Sequence, residues 1–285
     1  MLTEKKFDTG KVVLNYAEGP VAGTPLVLLH GITKAWQAWM PLIPSLAMRW
    51  HVFALDLRGH GKSGRVSGHY RLQDYVADVA SFLLMQVKSP AAVIGHSLGG
   101  LVALGAAIPV PGHMTGLVIG DSPLYRESFL ERMDPAYFPA LRDLAASGAS
   151  VDETARQFAE IRAHSPGSKV TVRQGDIPSN DAAFLRFRAQ CLTQTDPEAL
   201  QMLIDGRALE EPDLDLVLSQ VRCPTLLLQA DPSCGALLTD RDVARILAIL
   251  PQAASVKFSD LGHHLHMENP AGVLRAITFF LESLR

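Results

Sequence analysis

Only three cysteines, Cys191, Cys223 and Cys234, occur in the 285 residues. They are too few and too scattered for a disulfide framework, and no C-x-x-C pair suggests zinc, so free thiols of a reducing compartment are expected. Excess positive charge is missing too: 26 Lys and Arg stand against 29 Asp and Glu, a formal net charge of -3. Nucleic acids and anionic membrane surfaces select basic patches, so neither is an expected partner and small molecules are. The opening MLTEKKFDTG places no apolar stretch behind its lysines, which argues against a signal peptide. No apolar run approaches the ~20 residues of a membrane helix. A soluble, cytoplasmic chain is the expectation. Internal repeats and low-complexity tracts are absent, and no feature speaks to the oligomeric state.

What is present is apolar material, 48% of the chain, enough for a sizeable core. Two short extended stretches flank Asp8-Thr9-Gly10 and predict an antiparallel hairpin. Compact apolar runs follow at Pro25 to Leu29, His51 to Leu55, Ala91 to Ile94, Leu117 to Ile119 and Thr225 to Leu228, with a weaker one at Ala254 to Phe258. Hydrophobicity that is continuous over so few residues is what strands covered on both faces require. Between them lie helical patterns: Leu72, Tyr75, Val76, Val79 and Phe82 or Leu83, and near the carboxy end Val273, Leu274, Ile277, Phe280 and Leu281. Asn269 suits the N-cap of that last helix and Pro270 its first position. Strand and helix alternate, which predicts an α/β fold with a mostly parallel central sheet flanked by helices.

The alternation breaks between residues 125 and 219, where only helix-like segments show, at Ala140 to Ala146, Asp152 to Ala163 and Asp181 to Leu192. This predicts an inserted helical cap at 125–219 on a core made of 1–124 and 220–285. Its charges, among them Arg186, Arg188, Glu210 and Glu211, give no sign of the apolar lid of an interfacial lipase.

Gly95-His96-Ser97-Leu98-Gly99 matches G-x-S-x-G directly after an apolar strand and before the helix-forming run Leu98 to Ala107. A nucleophile there sits on a sharp strand-to-helix turn, and the flanking glycines let backbones pass closely. Three further motifs stand in order: Leu29-His30-Gly31, the segment Asp56 to Ser63 reading D-L-R-G-H-G-K-S, and Gly262 to Pro270 reading G-H-H-L-H-M-E-N-P. With these the chain resembles the α/β-hydrolase superfamily over almost its whole length apart from the cap. The resemblance implies a serine hydrolase with His263 as general base and no cofactor, most simply an esterase of small carboxylic esters. Lactones, amides and carbon–carbon bonds are cleaved on the same triad within the superfamily, and a slow-turnover small-molecule receptor is the reading from another class.

A serine needs a base, and the base needs an acid that fixes its tautomer. Asp231, after the strand Thr225 to Gln229, is the expected acid; Asp121, one strand earlier, is the rival, and Asp240 and Asp242 more simply start a helix. The oxyanion donors are expected to be the N–H groups of Ile32 and Leu98. His264 and His266 beside His263 raise the question of a metal, yet no zinc signature accompanies them, and none is expected. Gly61-Lys62-Ser63 resembles the end of a phosphate-binding loop, but that motif requires glycine where Asp56 stands. Trp36 and Trp39 could line a pocket or pack in a core, and the same choice applies to Phe138, Phe184, Phe187 and Met202 in the cap.

Overall fold

The computed structural model describes residues 1–165, 167–206 and 213–284, so Glu210 and Glu211 lie outside the described residues. β1 (Thr3–Asp8) and β2 (Val13–Glu18) form the expected hairpin. Then come β3 (Pro25–Leu29), the short α1 (Ile43–Leu46), β4 (His51–Leu55), α2 (Leu72–Phe82), β5 (Ala91–His96), α3 (Leu98–Ala106) and β6 (Met114–Gly120). The sheet order is β1-β2-β4-β3-β5-β6, completed by two later strands, β9 (Thr225–Gln229) and β10 (Ala253–Lys257). β1, β2 and β4 pair antiparallel, and every other neighbour in the sheet is parallel.

The continuous apolar runs are explained by two cores, one on each face. Val27 and Leu29, Phe53 and Leu55, Val93, Leu117 and Ile119 feed one core, which also takes up α2 and α3. Their alternating neighbours Leu26, Leu28, Val52, Ala54, Ile94 and Val118 feed the other. The period of two is there, but both phases are apolar because both are buried. Trp36 and Trp39 belong to the second core.

Between β6 and β9 the chain runs through α4 (Arg126–Arg132), α5 (Tyr137–Ala146), α6 (Val151–Glu160), α7 (Ala182–Thr193), α8 (Pro197–Ile204) and α9 (Leu214–Gln220). Two three-residue strands that the sequence pattern does not announce, β7 (Arg162–His164) and β8 (Thr171–Arg173), pair antiparallel after α6. Leu141, Leu144, Phe158, Leu192 and Leu200 give this segment a small core of its own. Met202 of α8 and Val217 and Leu218 of α9 instead join the main core. The chain closes with α10 (Asp240–Ile249), α11 (Leu265–Glu268) and α12 (Pro270–Ser283), and Asn269 caps α12 by accepting from the Gly272 N–H at 2.9 Å. Among the described residues no helix is long and apolar enough to cross a membrane.

The parallel register brings the carboxyl ends of the strands level: Leu29 faces Gly95, His96 faces Gly120, and Gly120 faces Leu228. The residues that follow these ends, His30-Gly31, Ser97, Asp121 and the loop after Gln229, therefore gather at one edge, where open parallel sheets place their ligands.

Candidate active site

Ser97 sits between β5 and α3 with φ 53° and ψ -120°. A non-glycine residue there stores roughly 1–3 kcal/mol of strain, which persists only if its surroundings hold it. They do: the Ser97 N–H donates to Gly120 O at 3.0 Å, and its carbonyl accepts from Gly100 N at 2.9 Å. The motif glycines are sterically required. A Cβ on Gly95 would lie 2.1 Å from Gly99 O, and one on Gly99 would lie 2.2 Å from Leu29 O. Ser97 faces a cavity of about 700 Å³ that is also lined by Ile32, Leu98, Phe138, Arg188 and His263.

The His30-Gly31 turn is fixed from two sides. The Gly31 carbonyl accepts from His30 Nδ1 at 2.7 Å and from Lys34 N at 3.2 Å. In a trans peptide the next N–H points the opposite way, so the Ile32 donor is turned from those partners. The turn touches Ser97, since a Cβ on Gly31 would stand 3.0 Å from Ser97 Cβ. Leu98 opens α3, and the first N–H groups of a helix have no intrahelical acceptor. His30 Nε2 accepts from Leu57 N at 3.0 Å, and burial lowers its pKa to about 4, so it holds the turn as a neutral ring.

The structure departs from the sequence expectation at the acid. His263 Nδ1 donates to Asp121 Oδ2 at 2.6 Å. Asp121 is fully buried and also accepts from Leu237 N at 2.9 Å and Leu238 N at 3.1 Å. Asp231 does not reach the imidazole. Its Oδ1 accepts from Ser233 N at 2.8 Å and Ser233 Oγ at 2.7 Å, and its Oδ2 from Asp260 N at 3.2 Å. The physical reason is local. The sequence Asp-Pro-Ser makes Asp231 the cap of a short 3-10 turn, which consumes its carboxylate and swings the following backbone, Leu237 and Leu238, towards Asp121. The loop after β9 thus supplies N–H donors to Asp121, and its own Asp231 carboxylate stays outside the His263 contact. Asp240 is held by Lys257 Nζ and Gln229 Nε2, and Asp242 closes the capping box of α10.

The other histidines have separate settings. His264 Nε2 lies 3.3 Å from Arg188 Nη1, and burial, followed by the nearby Lys34, holds its pKa well below the usual range. His266 stacks on Trp39 with centroids 4.6 Å apart, and burial lowers its pKa to about 3. Among the described residues the nitrogens of His96, His263 and His264 come within 4.8 Å of one another. Three imidazoles could in principle hold a metal, but His96 Nε2 is bonded to His263 O at 2.7 Å, His263 Nδ1 is held by Asp121, and Arg188 approaches His264. The Asp56 to Ser63 segment is structural: the Asp56 carboxylate accepts from Trp36 N, Asn15 Nδ2 and Lys62 N, and a Cβ on Gly61 would strike it at 2.3 Å.

Residues 26–276 match the family model described as Alpha/beta hydrolase family. The chain is 26% identical over 285 residues to a 2-(acetamidomethylene)succinate hydrolase of Mesorhizobium japonicum, covering 98% of this chain and 95% of that protein. It is 28% identical over 262 residues to a pimeloyl-[acyl-carrier protein] methyl ester esterase of Photobacterium profundum, covering 91% and 95%. The crystal structure of an E-2-(acetamidomethylene)succinate hydrolase superposes with a TM-score of 0.76 at 23% identity, over 99% of this chain and 100% of that one.

Proposed function

This chain belongs to the alpha/beta hydrolase family, and from that premise we propose that it cleaves carboxylic esters of small molecules through Ser97, His263 and Asp121. The observation that carries the reading is the 2.6 Å bond from His263 Nδ1 to buried Asp121, in the cavity that Ser97 faces from its strained turn. That bond places the proton on Nδ1 and leaves Nε2 as the basic nitrogen.

Ser97 Oγ attacks the ester carbonyl carbon as its proton passes to His263 Nε2. The tetrahedral oxyanion is met by the N–H groups of Ile32 and Leu98, and the imidazolium by Asp121. The intermediate collapses by breaking the bond to the alkoxide, which leaves as an alcohol with the proton from Nε2. Water then attacks the acyl-enzyme, gives one proton to Nε2 and the rest to the acid product, and Ser97 leaves with that proton. The helical segment between β6 and β9 acts as the cap, with Phe138 on the cavity wall. The likeness to a 2-(acetamidomethylene)succinate hydrolase supports an amide as the second reading, in which an amine leaves in place of the alcohol.

Hydrolysis of p-nitrophenyl esters from acetate to long acyl chains tests the proposal, with Ser97→Ala as the blank. Release that falls by ~10³-fold or more in Ser97→Ala is expected. Equal release from the variant refutes the nucleophile. Labelling of Ser97 by a fluorophosphonate without turnover of any ester moves the assignment to the amide.

A further inference from the structure

Among the described residues, two cations in the cavity have no anion. Lys34 is 2% exposed and Arg188 6% exposed, and both line the space that Ser97 faces. Arg188 reaches only neutral groups: His264 Nε2 at 3.3 Å, Tyr137 Oη at 3.3 Å and Thr33 Oγ1 at 3.5 Å. Lys34 Nζ lies 5.8 Å from the Phe184 ring centroid and the Arg188 guanidinium carbon 5.9 Å from the same centroid, so the two charges flank one ring. Among the described residues no carboxylate pairs with either. Of the four acids on the cavity wall, Asp134 is taken by Ala136 N and His164 N, Glu268 by Gly262 N, and Glu131 by Arg241, while Asp260 is exposed and pairs with neither cation. The thiol of Cys191 beside Lys34 is pushed up to about 11 by burial and stays uncharged.

A buried charge without a counter-ion costs several kcal/mol, and two like charges in one wall add repulsion. Burial, with the Arg188 charge second, holds the Lys34 pKa well below its usual value. The rings near these charges, Phe158 and Phe184 for Arg188 and Phe184 for Lys34, offer a cation only a π face and no formal negative charge. What relieves both charges is an anion entering the cavity, and a planar guanidinium next to an ammonium suits a carboxylate.

We infer that Lys34 and Arg188 form a subsite for a carboxylate carried by the substrate, beside the bond that Ser97 attacks. The preferred substrate is then an acyl compound bearing a free acid, which deepens the hydrolase reading and rests on it. The Phe184 ring lies within 6 Å of both charges and is uncharged, so a neutral chain of equal length gains nothing that replaces the charge pair. The succinate portion in the name of the Mesorhizobium relative is consistent with this class.

The test compares p-nitrophenyl hydrogen succinate with methyl p-nitrophenyl succinate, which differ only in the charge of the distal group. Wild type is expected to favour the acid by at least ~10-fold in kcat/KM, and Lys34→Met and Arg188→Met each to bring that ratio close to one. No preference, or a preference that survives in both variants, overturns the subsite. Should Lys34→Met fail to fold, Lys34→Gln keeps a polar head without the charge. A second arm is independent of turnover: succinate and inorganic phosphate are titrated into Ser97→Ala by calorimetry, with and without Arg188→Met. Saturable succinate binding, weakened ~10-fold or more by Arg188→Met, supports the subsite. Phosphate binding as tight as succinate, or succinate binding indifferent to Arg188, overturns it. If neither ester turns over, the ester reading fails, and the titration alone decides the subsite.

Discussion

At the scale of single residues, Asp121 and Asp231 separate two roles that look interchangeable in the sequence. Loss of the Asp121 charge frees the imidazole to adopt the wrong tautomer, so Asp121→Asn is expected to lower kcat by about 10⁴. Asp231→Asn loosens a turn and leaves kcat within about tenfold. Stopped-flow or steady-state rates on one ester rank the two, and the reverse order refutes the assignment of the acid. That Ser97 and His263 meet at one cavity is legible because their motifs are local: the glycines around Ser97 and the Gly-His to Glu-x-Pro frame around His263 are readable over a few residues. The acid was not. Either strand end can carry an acid to the imidazole, and the choice depends on how residues 231 to 238 turn, which the spacing of aspartates does not encode. Lys34 and Arg188 were equally hidden, since a lone Lys or Arg in a sequence is by default a solvated charge.

At the scale of elements, the tightest constraint is where α3 crosses the end of β3. Gly99→Ala would drive a methyl against Leu29 O at 2.2 Å and His30 O at 2.7 Å, both backbone atoms that cannot step aside. Its cost is expected to reach about 3 kcal/mol or more. Gly68→Ala, at φ +76° but with nothing within 4 Å, serves as the control and loses only ~1–2 kcal/mol from its backbone conformation. Urea midpoints measure both, and a Gly99→Ala protein as stable as Gly68→Ala contradicts the close-approach argument. The inner strands β3, β4, β5, β6 and β9 are readable because burial on both faces writes an unbroken apolar run. β7 and β8 are not: each has three residues, with Ala163 alone buried and Arg162 and Thr171 exposed, so no period can show. The same weakness of pattern blurs the carboxy side of the insertion, where α8 and α9 lend side chains to the main core.

At the scale of the whole molecule, the histidines set the response to acid. His30 is held neutral down to about 4, and His60 and His266 down to about 3, in each case chiefly by burial; His96 and His264 are lowered in the same direction. Unfolded imidazoles titrate near 6.5, so below that pH the unfolded chain binds more protons than the folded one. Stability is therefore lost as pH falls from ~6.5 towards the folded values, by up to ~1.4 kcal/mol per pH unit for each such ring. Tm measured from pH 7.5 to 5 is expected to fall steeply below 6.5. His266→Phe, which keeps the stack on Trp39 and removes one titrating ring without a hydrogen-bond partner, should flatten that fall. An unchanged slope argues that His266 charges inside the fold. The α/β class and the sheet's strands could be read before any coordinates because alternation of strand and helix is a property of the whole chain.

The bond between His263 and Asp121 spans 142 positions, whereas the proposed nucleophile and acid directly follow neighbouring, hydrogen-bonded strands. A chain emerging from its amino end therefore completes Ser97 and Asp121 well before the base exists. On the proposed roles, chemical competence waits for residue 263, and a product cut short before His263 carries the pocket floor but no base to take a proton from Ser97.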